Sequence, residues 1–180
     1  FEFGGSSDAA FFVDSGLSYS GSAVTSLSAL YHLEGETVSI LANGATHPDA
    51  TVSSGSVSLN FEATSAAIGY GFTSSMQTMR IESGSVDGTS QGKPKRIHGL
   101  TVRIYETVGI EIGNDDGELD RIPFRDSSMA MDQAVPLFTG DKEIEFPGGY
   151  VDDDRIYIRQ NQPLPMTVLA LFPRMNTFDK

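Results

Sequence analysis

The sequence predicts an all-β domain: an antiparallel β-sandwich or barrel-like fold with short strands, Gly-rich turns and at most one or two short helices. Three observations predict it. Apolar and polar residues alternate at period 2 along much of the chain, and the 3.6-residue period of an amphipathic helix hardly occurs. Gly is abundant, with 19 copies in 180 residues, against an average near 7%. Turn pairs such as Asn43-Gly44 fall between the alternating segments, which is the spacing of a sandwich or barrel.

The elements follow in chain order. Ser7 is placed to cap a short helix from Asp8 to Phe12. Val38 and Ile40 alternate with Thr37 and Ser39; Val57, Leu59 and Phe61 alternate with Ser56, Ser58 and Asn60. Ile68, Tyr70 and Phe72 sit among Ala67, Gly69 and Gly71, a pattern read as close packing and not as a phosphate loop. Met79 and Ile81 alternate with Thr78, Arg80 and Glu82. In residues 101–112, Val102, Ile104, Val108, Ile110 and Ile112 share one parity, broken by Glu106 alone. That predicts one strand, or two with a kink near Gly109, buried on one face. Asp126 is placed to cap a helical turn or two over Ser127 to Gln133. Ile144 with Phe146, and Ile156 with Ile158, predict two more strands. Residues 166–172 are almost all apolar, which predicts a central strand covered on both faces. Turns are expected at Asn43-Gly44, Ser54-Gly55, Asp87-Gly88, Asp116-Gly117, Gly140-Asp141 and Pro147-Gly148-Gly149.

A single β domain is expected over residues 1–180, with 1–12 as a linker or edge segment. A subdomain break would fall near 113–118 or 126–134, but one domain is the simpler reading. With Phe at position 1, the chain is expected to be a fragment of a longer protein.

Charge and composition narrow the function. The 24 acidic and 12 basic residues give a net charge of −12, which disfavours tight binding to phosphate backbones or anionic membranes. The absence of Cys excludes disulfides, thiolate metal sites and Cys nucleophiles. No apolar run approaches the roughly 18 residues that cross a bilayer, and no basic and apolar leader opens the chain.

The candidate chemistry is thin. Asp14-Ser15-Gly16, after Phe12-Val13, has the form of an aspartic peptidase loop. That reaction needs two carboxylates sharing a proton about 3 Å apart, and Val86-Asp87-Gly88-Thr89 has the wrong order to supply the second. A turn is the simpler reading. Asn114 to Glu118 fails as an EF-hand loop, because its first and twelfth positions hold Ile112 and Pro123. It and Asp152-Asp153-Asp154 read as solvated turns. His32, His47 and His98 have no metal-ligand spacing. Lys93-Pro94-Lys95-Arg96, near His98, is the basic cluster, and pairing with the chain's own carboxylates or a neighbouring subunit is expected.

Five segments in order carry a resemblance. They are Leu33 to Gly44 with His47-Pro48; Gly84 to Lys93 with Lys95-Arg96-Ile97; Pro136 to Asp141; Phe146 to Gly149; and Arg159 to Thr167. This order resembles the C-terminal part of nozzle, or tail-tubular-B-like, stabilisation proteins of short-tailed bacteriophages and prophages. It runs from about Val13 to Pro173, and the family's larger N-terminal region lies outside it. The resemblance implies a virion tail component with no catalytic residues, metal or cofactor. It implies a homo-oligomer, hexameric in the full-length protein, contacting other phage tail proteins with DNA passing through the ring. Carboxylates of residues 113–120 and 152–154 would then line the lumen and repel the DNA. Two other readings stand beside it. One is a receptor- or glycan-binding module that stacks sugars on Tyr19, Tyr31, Tyr70, Tyr105, Tyr150 and Tyr157. The other is an aspartic peptidase using Asp14 across a dimer.

Overall fold

In the computed structural model, residues 6–82, 89–131, 133–146, 148–152 and 154–178 are described. They form an all-β fold of eleven strands and two 3-10 turns. Every strand pair is antiparallel. One four-stranded sheet has the order β1 (Asp14–Leu27), β4 (Val57–Tyr70), β2 (Thr37–Ala42), β3 (Ala45–Thr51). A second has the order β5 (Ser74–Gln77), β10 (Tyr157–Gln160), β7 (Glu111–Gly113), β8 (Leu119–Arg121). The third sheet has three strands: β11 (Val168–Thr177), β6 (Lys95–Thr107) and β9 (Phe138–Glu145).

The second and third sheets close on each other as a sandwich. Ile97, Leu100, Val102 and Ile104 of β6 pack in one cluster with Ile112 of β7 and Ile158 of β10. Leu41 and Ala67 join the same cluster from the first sheet. Their chain neighbours Ile40, Ala42, Ala66 and Ile68 turn the other way, into a separate core with Leu30, Leu33, Val38 and Leu59. Side chains alternate across a strand, so the middle of β2 and β4 is buried on both faces. That two-sided burial fixes the first sheet against the sandwich.

The expected alternation is found in β2, β6, β9 and β10, and the structure shows why it shifts elsewhere. In β6 the inward parity passes from Ile97 to Leu100, and the register with β11 slips at the same place. The kink at Gly109 is present, with φ +87°, and it separates β6 from β7. Residues 57–70 form one strand, not two. Its inward parity changes between Ala63 and Ala66, where the β1 register also slips. Asn43 supports that irregularity: its Oδ1 accepts from Thr64 N–H and Ser65 N–H, and its Nδ2 donates to Glu62 O. Asn43 and Gly44 adopt φ +50° and +73°, the turn the pair predicts between β2 and β3.

Several expectations are corrected. The strands are not uniformly short, since β1 and β4 have 14 residues each and β6 has 13. Asp126 accepts from Ser128 N–H and Oγ–H in a local turn, while Arg125 donates to the carbonyls of Ala130 and Gln133. These side chains take up backbone groups of Ser128, Ala130 and Gln133, and no helix forms over the described residues 127–131 and 133. The Ser7 segment is a single 3-10 turn over Ser7–Ala9, with Ser6 at its N-cap. Met79 and Ile81 lie outside any strand, and Met79 is exposed; β5 precedes them instead. Gly140-Asp141 lies inside β9 and is no turn. Residues 113–119 form the tight β7–β8 connection. The Asp87-Gly88 turn and Pro147 lie outside the described residues.

Leu41 bridges the first sheet to the sandwich, so Leu41→Ala should cost about 2–5 kcal/mol. Chemical denaturation of both proteins measures it. A loss below about 0.5 kcal/mol, the range of neutral surface changes, would contradict this packing.

Candidate assembly surface

The sites nominated by sequence separate in the structure. Asp14 is the exposed first residue of β1, and its Oδ1 accepts from Ser15 N–H at 2.7 Å. The motif is thus built into a strand, not into the turn expected at a strand end. Gly16 and Gly69 let that strand approach β4 closely: a Cβ on Gly69 would lie 2.6 Å from Asp14 O. His32 contacts Ser15 O at 2.8 Å. His47 is buried with both ring nitrogens engaged: Nε2 accepts from Asn60 N–H at 2.9 Å, which leaves Nδ1 to donate to Pro48 O at 2.7 Å. Among the described residues no three His, Asp or Glu gather as a metal-holding group.

The basic cluster is divided by strand alternation. Lys95 is fully buried, and its Nζ donates to Ile81 O and Ser90 O, both at 3.3 Å. Arg96 and His98 face solvent. Asp154 is buried beside this lysine and accepts from Ile97 N–H at 2.7 Å. Burial raises its pKa; the Ile97 hydrogen bond and the Lys95 charge pull the other way. The expectation of a solvated turn fails for Asp154, whose side chain turns inward to accept the Ile97 N–H. Asp153 lies outside the described residues, and Asp152 is exposed.

A second polar cluster crosses the middle sheet. Glu111 of β7 stands opposite Arg121 of β8 and Arg159 of β10. Its carboxylate accepts from Arg121 at 3.1 Å and from Arg159 at 2.9 Å. Arg159 also reaches Asp116 at 2.8 Å. Asp116 is therefore ion-paired, while Asp115 forms the turn by accepting from Gly117 and Glu118 N–H. Burial pushes the Glu111 pKa up, but the two arginines more than offset it and the net shift is downward.

The departure with most bearing on function is β11. Its apolar run predicts a central strand, yet it is the edge of its sheet. Val168, Leu171 and Met175 pack inward, while Leu169 is 58% exposed and Phe172 is 44% exposed. Tyr105 lies beside them on β6, its N–H donating to Thr167 O. Arg103 covers Phe172 at 5.1 Å and makes a bidentate pair with Asp141 at 2.7 and 2.8 Å. Arg174 pairs with Glu143. At the far end, exposed Phe178 meets Tyr150 edge to face at 6.2 Å. Exposed apolar side chains thus stand in two groups, Leu169, Phe172 and Tyr105 near the start of β11 and Phe178 with Tyr150 just past its end, with exposed Arg174 and Asn176 between them. Clustered exposed apolar side chains mark an interaction site. Exposed residues read singly in the sequence gain this meaning only when the edge position of β11 is known.

The six tyrosines form no common platform. Tyr19 and Tyr70 belong to the first sheet, Tyr157 to the second and Tyr105 to the third, and no ring pair joins two of them among the described residues. Among those residues no helix is long and apolar enough to cross a membrane. No family model matches the chain, and no curated protein matches it.

The two carboxylate clusters predict opposite pH responses. The lowered Glu111 pKa gives stability that is present above the unfolded value of 4.5 and is lost as pH falls through the folded value. Glu111→Gln should cost about 1.5–3 kcal/mol near pH 7, the worth of hydrogen bonds to a charged group, and progressively less below pH 4.5. Asp154 has a raised pKa, so its contribution is full below 3.8 and is lost as pH rises through the folded value. Asp154→Asn should therefore cost more near pH 3 than near pH 7. Denaturant midpoints across pH 3–7 measure both, and parallel curves for wild type and variants would contradict the assignment.

Proposed function

We propose that this chain is a structural component of a bacteriophage virion tail, a nozzle or tail-tube adaptor. It acts by packing against further copies of itself and against other tail proteins around the DNA conduit. The observation that carries the reading is the exposed β11 edge with Leu169, Phe172, Tyr105 and Phe178 along it. A run of apolar residues placed on an edge strand is a liability in a monomer and an asset in an assembly. The ordered resemblance of five segments supplies the class of assembly.

Charge supports the same reading. Asp115, Glu118, Asp120 and Asp152 are exposed, and the net charge of −12 discourages adhesion of a passing duplex. Asp116 is exposed as well, though paired with Arg159, whereas Asp154 is buried and drops out of the expected lining. No observation favours the peptidase reading for Asp14 or the stacking reading for the tyrosines.

Light scattering over a concentration series tests the reading. The wild-type chain should rise in mass with concentration. Leu169→Asp combined with Phe172→Asp should shift that rise at least tenfold higher in concentration while leaving the far-ultraviolet circular dichroism unchanged. A wild-type mass that stays at 19.3 kDa throughout would contradict assembly through this surface.

A further inference from the structure

A groove of about 440 Å³ opens where the β2–β3 turn, the Gly109 kink and residues 121–125 meet. Its floor is apolar, with Val108, Ile122, Phe124 and Leu164. Its size falls in the range of roughly 300–1,000 Å³ that holds a ligand or side-chain anchor. Arg121 and Arg125 stand on its rim. Arg125 is committed to the carbonyls of Ala130 and Gln133. Arg121 spends one N–H on Glu111, and its side chain is 58% exposed. The other N–H groups of its guanidinium have no protein partner among the described residues. In a chain of net charge −12, this is an uncommon place: an apolar hollow with an available cation at its lip.

The matching shape lies on the same chain. Tyr150 is 52% exposed, Val151 is 41% exposed and Asp152 is exposed. Val151 is held by a β-bridge to Lys95, with hydrogen bonds of 2.9 Å in both directions. In an extended segment residues i and i+2 project to the same side, which sets the Tyr150 ring and the Asp152 carboxylate together. The segment also lies beside the end of β11, through the Tyr150–Phe178 contact.

Groove and projection cannot meet within one molecule. Val151 is fixed at Lys95, the first residue of β6, and Val108 and Gly109 follow its last residue, Thr107. Thirteen strand residues separate them, roughly 40 Å at the rise of a β-strand. Two such surfaces can meet only between copies, and a contact of that head-to-tail kind closes into a ring or continues as a filament.

We propose that the groove beside Arg121 receives Tyr150 of a second copy of this chain, with Asp152 of that copy pairing with Arg121. The inference rests on the assembly reading above and specifies its contact.

The test uses two variants that each damage one half of the contact. Ala134→Trp fills the groove, since Ala134 lines it, and Tyr150→Ser removes the projection. Each alone should associate at least tenfold more weakly than the wild type by analytical ultracentrifugation. Their equimolar mixture retains one good groove and one good projection, so it should restore association as 1:1 pairs. That pairing would also show that both variants fold. A fluorescent peptide with the sequence of residues 148–152 should bind the wild type saturably, and roughly tenfold more weakly to Arg121→Gln, as for loss of a charged hydrogen bond. Wild-type oligomers that persist in both variants would overturn this contact and leave the assembly reading standing. A monomeric wild type that also fails to bind the peptide would overturn both.

Discussion

β6 is the strand on which the rest of the molecule depends. Its inner face carries Ile97, Leu100, Val102 and Ile104, all at or near zero exposure, and these residues supply the third sheet's wall of the main core. It is the middle strand of its sheet, so β11 and β9 are placed by pairing with it. Its first residue, Lys95, holds the Val151 bridge and the carbonyls of Ile81 and Ser90. Its end leads into the Gly109 kink and the buried residues Val108 and Ile110. A substitution that moved β6 would therefore disturb the core and both ends of the outer surface together.

The energetics of the core and of the surface are separable. Apolar burial of about 25 cal/mol per Å² drives the two cores, and the buried charges Lys95, Glu111 and Asp154 are tolerated because each has a partner. The outer face of the third sheet is organised differently. The Arg103–Asp141 pair is exposed, and its salt bridge adds little to stability. Arg103 lies over Phe172 and holds the ring in place. A face ordered in this way loses little entropy on contact, which favours its use in association.

The sequence makes the architecture legible where one face of a strand is buried and the register is regular. The alternation of Val102, Ile104 and Ile158 is of that kind, and the Asn43-Gly44 turn follows from backbone chemistry alone. What is not legible arises from tertiary placement. The apolar run of β11 has the composition of a buried strand, and only the order β11–β6–β9 shows it to be an edge. β5 is Ser-Ser-Met-Gln, with no alternation to reveal it; it is held by β10. The carboxylate of Asp154 gives no sign in the sequence that it will be buried with Lys95. The Glu111 cluster draws on residues up to 48 positions apart, and it exists because β7 lies between β8 and β10.

Hydrogen exchange of the wild-type chain at low and high concentration, read segment by segment, tests the central claim most directly. If the chain assembles through the surface that β6 organises, amides of residues 121–125, 148–152 and 168–178 gain protection as concentration rises, while those of β6 stay unchanged. Protection that is the same at both concentrations, or that increases only along β1, would contradict the account.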